Sequence, residues 1–132
     1  MPSYSIGQAA ELLGVSADTL RRWVDGGRLA ATKGVGGRRL VDGEALASLA
    51  ESLTSSPDLS ELGLTSARNR FIGLVTSVTK DTVMAKVDMI CGPHRVVSLI
   101  SREAADDLGL VPGMVAIASV KATNVAVELP RT

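Results

Sequence analysis

Hydrophobic periodicity changes once along this chain, near Thr65, and that change limits the possible folds more than any other feature. Upstream, apolar residues recur every three or four positions; downstream they alternate or run in β-branched blocks. A helical unit followed by a strand-rich unit is expected, an α+β chain of two domains. Between them, residues 54–60 (TSSPDLS) are polar and include Pro57, which discourages helix continuation, so they read as a boundary. The expected division is 1–53, a linker over 54–64 in which residues 60–64 add at most a helical turn, and 65–132.

In the first unit, Ser5 and Gln8 have the spacing of a capping box. Ile6, Ala9, Ala10, Leu12 and Leu13 then recur at helical spacing until Gly14. Ser16 caps a second helix to about Asp25, with Leu20, Trp23 and Val24 on one stripe, which places Trp23 in the core. Two short helices joined at a glycine corner predict a helix-turn-helix. Residues 29–33 and 38–41 flank Gly34-Val35-Gly36-Gly37, the tip of a small hairpin, and Asp42 caps a third helix. Although the whole chain balances 14 basic against 14 acidic residues, residues 16–41 hold six basic side chains against only Asp18 and Asp25. Nucleic-acid affinity needs only such a local patch.

Thr19-Leu20-Arg21-Arg22-Trp23, Gly26-Gly27-Arg28-Leu29 and Gly36-Gly37-Arg38-Arg39 together resemble the excisionase and MerR-like winged helix-turn-helix family over residues 4–52. The resemblance implies a double-stranded DNA partner. Arg21 and Arg22 would reach bases or phosphates, with Ser16, Asp18 and Thr19 at the amino end of the recognition helix and Arg38 and Arg39 on the wing. No sustained heptad follows, so dimerisation through a coiled coil is not expected.

In the second unit, residues 71–78 and 83–89 predict two strands of a hairpin and residues 95–100 a third. Ser101 then caps a short helix over 102–108 ended by Gly109, and strands over 114–121 and 125–129 follow. The order βββαββ predicts an OB-like five-stranded β-barrel with one short helix. At its entrance stands Thr65-Ser66-Ala67-Arg68-Asn69-Arg70, where hydroxyls and two arginines form a corner suited to a small anion. A tetrahedral dianion needs converging N–H groups and hydroxyls together with cations, and Ser66, Arg68 and the Ala67 backbone supply one such wall. Arg70 reads as ordinary surface.

Ser66-Ala67-Arg68-Asn69, residues 101–105 (SREAA), residues 108–113 (LGLVPG) and residues 121–125 (KATNV) resemble the Mop, or TOBE, family of molybdate-binding domains over residues 65–130. That resemblance implies molybdate or tungstate bound as a ligand, not a catalytic cofactor, between subunits of a homo-oligomer, a dimer or higher assembled through this domain. Lys121 and the Ala122 backbone would supply a facing wall from another subunit, and Ser98 would belong to a second kind of oxyanion site.

The single cysteine, Cys91, excludes an internal disulfide or a multi-cysteine zinc site and reads as a small buried residue. His94 stands alone in a turn, so no metal site is expected. No stretch approaches the ~20 apolar residues of a membrane span, and a cytoplasmic protein without a membrane partner is expected. Without a nucleophile and base pair, an enzyme is not expected. The joint reading is a DNA-binding transcriptional regulator that senses molybdate or tungstate; the alternative is a storage or buffering protein whose helical half serves assembly.

Overall fold

The structure, a computed structural model, describes residues 2–54 and 63–131. Most of the linker expected over 54–64 therefore lies outside the described residues. The chain divides into two compact units between Leu62 and Gly63.

In the first unit, β1 (Ser3–Ser5) leads into α1 (Ile6–Leu13), then α2 (Ala17–Asp25), β2 (Ala31–Lys33), β3 (Arg39–Asp42) and α3 (Gly43–Leu53). The expected capping box is present: Ser5 Oγ accepts from the Gln8 N–H and Gln8 Oε1 from the Ser5 N–H. Gly14 leaves α1 in the left-handed region at φ 70°, where a side chain would be strained. Ser16 and Asp42 cap α2 and α3 through the N–H groups of Thr19 and Ala45. Ala9, Ala10, Leu20, Leu29, Val41, Leu46 and Leu49 form the core, with Trp23 and Val24 packed against it. β2 and β3 form the expected hairpin. β1, which no periodicity signalled, adds to β3 as a third antiparallel strand in the order β1-β3-β2.

The second unit is one antiparallel sheet in the order β6-β5-β4-β7, built from β4 (Asn69–Lys80), β5 (Met84–Cys91), β6 (His94–Ser101) and β7 (Val115–Val120). Between β6 and β7 runs α4 (Arg102–Leu108), capped by Ser101 and ended by Gly109 at φ 64°. A bulge between Val75 and Ser77 shifts the β4–β5 register by one residue, and such insertions sharpen the local bend of a sheet. The inner face is lined by Val75, Val87, Met89 and Cys91, with Val96, Ile100, Met114, Ala116 and Ala118 against them. Gly73 is needed beneath Cys91: an added Cβ there would strike the Cys91 thiol and lie 2.5 Å from the Ile90 carbonyl oxygen.

The expected barrel of five strands is corrected to a half-barrel of four among the described residues. Residues 125–129 form no strand, and Val125, Val127 and Leu129 are exposed. The alternation that suggested a strand is real, but a strand also needs a backbone partner, and this segment meets none. The opposite face of the sheet is apolar too. Leu74 lies opposite both Ile90 and Val115, and Ile72 opposite Ile117, so five half-exposed aliphatic side chains run across three strands. Isolated surface aliphatics are ordinary, whereas a row of neighbouring ones across three strands is less common.

Candidate functional site

Asn69 opens β4 directly opposite Val120, the last residue of β7, and its side-chain Nδ2 donates to the Val120 carbonyl at 3.0 Å. The ladder therefore ends with Arg68 and Lys121 stepping off the same end of the same strand pair. Ser66, Arg68, Lys121 and Ala122 are all exposed there, and Ala122 opens a short 3-10 turn, Ala122–Asn124. Within one chain, Ser66 and Arg68 enter β4 at the same end of the strand pair from which Lys121 and Ala122 leave β7.

Ala67 departs from expectation. Its side chain is buried, and its N–H donates to Thr65 Oγ1 at 3.2 Å. That donor is already engaged, so Ala67 acts first as the peg that anchors the corner between exposed Ser66 and Arg68. Ser98 is not part of this cluster. It lies on β6, opposite Val87, at the other edge of the sheet. Arg70 differs from the ordinary surface residue expected: it is half-buried, and its Nε is buried with no hydrogen-bond partner among the described residues.

Sequence reasoning missed a polar cluster on β5. Asp88 is buried on β5. It accepts from Ser77 Oγ at 2.8 Å and from Arg95 Nη2 at 2.5 Å. The Ser77 hydroxyl first, and the Arg95 guanidinium second, hold its carboxyl below the usual range. The cluster locks the register of β4, β5 and β6 just past the bulge. Among the described residues, no group of His, Cys, Asp and Glu side chains could hold a metal ion.

In the first unit, the candidate DNA-contacting residues gather on the first turns of α2. Ser16 Oγ donates to Thr19 Oγ1 at 2.9 Å, Arg22 reaches the same Thr19 oxygen at 3.3 Å, and Arg21 pairs with Asp18 at 2.7 Å. The hydroxyls of Ser16 and Thr19 are thus taken up by the cap, and Arg21 is held along its own helix. Arg39 does not project freely: its Nη1 pairs with Asp25 Oδ1 at 2.6 Å, fastening the hairpin to the end of α2. Arg28 lies over the Trp23 ring, 5.2 Å from its centroid. Lys33, Arg22 and Arg38 are exposed and make no ion pair among the described residues. The hairpin tip carries Val35 fully exposed beside Gly36 and Gly37, both at φ 78°.

These two constructions are a helix-turn-helix unit and a small β-domain with exposed Arg68 and Lys121 at one end of its sheet. Residues 3–54 match the helix-turn-helix domain family and residues 65–127 match the TOBE domain family. The chain belongs to the Mop (TOBE) family, with a helix-turn-helix domain ahead of its TOBE domain. It is 40% identical over 63 residues to molybdenum-pterin-binding protein 3 of Clostridium pasteurianum, spanning 47% of this chain and 93% of that protein. Among solved structures, it resembles the cytoplasmic molybdate-binding protein ModG in a molybdate-bound form. That match has a TM-score of 0.50 at 28% identity and covers 76% of this chain and 82% of ModG. A molybdate-binding protein from Sporomusa ovata is 37% identical, with a TM-score of 0.49, over 51% of this chain and all of its own. Neither matched family is defined by an enzymatic activity, and no described helix is long and apolar enough to cross a membrane.

Proposed function

We propose that the protein is a DNA-binding transcriptional regulator that senses molybdate or tungstate at the corner built from Ser66, Ala67, Arg68, Lys121 and Ala122. The observation that carries this reading is the pairing of Asn69 with Val120, which has Arg68 and Lys121 as the next residues outward on the two strands, in a chain that also holds a helix-turn-helix domain. An oxyanion with two charges matches two cations, and ModG supports molybdate as the ligand. Because the corner is exposed in one chain, water would compete for every donor; closure by a second subunit would desolvate the anion and strengthen each charge-assisted bond. The site is accordingly intersubunit, in a homo-oligomer of the TOBE domain, and ModG's cytoplasmic description supports a cytoplasmic setting.

Residues 1–53 are the DNA-reading domain in this proposal, 54–64 the linker and 65–132 the oxyanion domain. The β2–β3 hairpin is the wing and α2 the recognition helix, with Ser16, Asp18, Thr19, Arg21, Arg22, Arg38 and Arg39 on the DNA side. Ser98 on the edge strand belongs to a separate oxyanion site. Ligand shifts DNA affinity only through its differential affinity for alternative assemblies. An electrophoretic shift assay on the region upstream of the protein's own gene, with and without molybdate, tests this. A ligand-dependent shift is expected, and equal binding in both conditions would remove the sensor role.

A second reading, a storage or buffering protein, draws on the near-complete match to a Clostridium pasteurianum protein that consists almost wholly of this domain. Several molybdate ions per subunit by calorimetric titration, together with no sequence-specific DNA binding, would favour it.

A further inference from the structure

Among the large apolar side chains described in the first unit, Val35 is the most exposed, at 99%, and it takes no part in the core or in the layer packed on it. A lone exposed aliphatic is ordinary on a surface. This one stands at the tip of a fastened arm. Its turn is closed by two backbone bonds, from the Gly34 N–H to the Arg38 carbonyl at 2.6 Å and from the Gly37 N–H to the Gly34 carbonyl at 3.2 Å. At the root of the same hairpin, Arg39 pairs with Asp25 at the end of α2. The valine is thus held out in water at a fixed place relative to α2.

Gly34, Gly36 and Gly37 leave Val35 as the only side chain over residues 34–37, so the tip is little wider than its backbone. A β-ribbon that carries side chains needs the major groove of DNA, about 12 Å wide, whereas so slim a tip suits the minor groove, about 6 Å wide. Lys33 and Arg38 flank it on the two arms of the hairpin, both exposed and without an ion pair among the described residues. Cations so placed match the phosphates that border a groove. On the minor-groove floor, A·T pairs show only acceptors, while G·C pairs add the guanine N2 amino donor. The valine side chain offers no acceptor. A guanine beneath it would lose water from that amino group and gain no partner, the costly case of an unmade hydrogen bond.

We propose that the tip of the β2–β3 hairpin enters the minor groove and that Val35 is a specificity residue there, selecting against guanine at the base step beneath it. This rests on the DNA-binding reading of the first unit given above. Lys33 and Arg38 supply attraction that is indifferent to sequence, and Val35 supplies discrimination by exclusion. The hairpin then adds a preference for A·T that is separate from whatever α2 reads.

The test measures binding of the full chain to short duplexes of alternating dI·dC and alternating dG·dC by fluorescence anisotropy. Hypoxanthine lacks only the N2 amino group of guanine, so the two duplexes present the same major-groove pattern and differ in the minor groove. The parent chain should prefer dI·dC by about 5-fold or more, the cost of one unpaired donor. Val35→Asn supplies an acceptor for the amino group and should shrink or reverse that preference. Val35→Ala supplies none, so its preference should keep the same sign. Because Val35 is exposed, both variants should retain the parent's circular dichroism. Equal binding of the two duplexes by the parent, or a preference that Val35→Asn leaves unchanged, would overturn the proposal and leave the DNA-binding reading standing. A parent chain that binds neither duplex nor the upstream region of its own gene would remove both.

Discussion

Asn69 holds Val120 by side chain as well as by strand pairing, with Nδ2 3.0 Å from the Val120 carbonyl oxygen. This one contact ties the start of β4, just after Arg68, to the end of β7, just before Lys121. Arg68→Ala and Lys121→Ala are each expected to weaken molybdate binding by about 1.5–3 kcal/mol, roughly 10- to 150-fold, the range of a bond to a charged group. Asn69→Ala should lower affinity while leaving both charges in place. Calorimetric titration of the three variants checks this, and unchanged affinity in both cation variants would place the anion elsewhere.

The hairpin of the first unit is expected to act on DNA through its tether as well as its charges. Arg38→Ala removes an exposed cation and should weaken DNA binding at every sequence, lowering the slope of log K against log salt by about 1. Asp25→Ala removes an acidic residue, so charge alone predicts tighter binding. If the Asp25–Arg39 pair positions the hairpin, the same change should weaken discrimination between operator and unrelated DNA. Fluorescence anisotropy across a salt series separates the two effects.

Gly73→Ala should destabilise the second unit by about 1–3 kcal/mol, the usual cost of forcing extra volume into a packed site. The added methyl has nowhere to go between the Cys91 thiol and the Ile90 carbonyl. A lower urea midpoint for the transition of this unit is the expected result. Adding Cys91→Ala should recover part of the loss, because it removes one of the two obstacles.

Acid should loosen the second unit through Asp88. A carboxyl held below its ordinary range contributes fully to stability above the unfolded-state value, about 3.9, and that contribution disappears as pH falls through the folded-state value. Asp81, lowered by the backbone N–H groups of Met84 and Val83, and Asp106, lowered by Lys80, follow the same sign. Asp88→Asn should be less stable than the parent at neutral pH, and the gap should narrow as pH drops below about 4. Denaturant titrations at a series of pH values read this directly.

Helices were the most legible part of the chain, because their ends are written in short-range chemistry. Ser5 with Gln8, Ser16, Asp42 and Ser101 mark starts, and Gly14 and Gly109 mark stops. β1 was not legible: Ser3-Tyr4-Ser5 has no strand pattern and becomes a strand only because β3 offers an edge. Asp88 was not singled out, because alternation assigns only a face, whereas its burial depends on Ser77 and Arg95 arriving from neighbouring strands. The pairing of Arg39 with Asp25 bridges 14 positions and leaves no periodic trace. For residues 125–129 the pattern correctly indicated a side-chain arrangement suited to a strand, but no local pattern can supply the strand's partner.

The aliphatic band across Ile72, Leu74, Ile90, Val115 and Ile117 bears on how long a newly made subunit survives. Chaperones and proteases sort nascent proteins by surface of this kind. A copy on its own leaves that band in water, so any partner that covered it would also hide it from quality control.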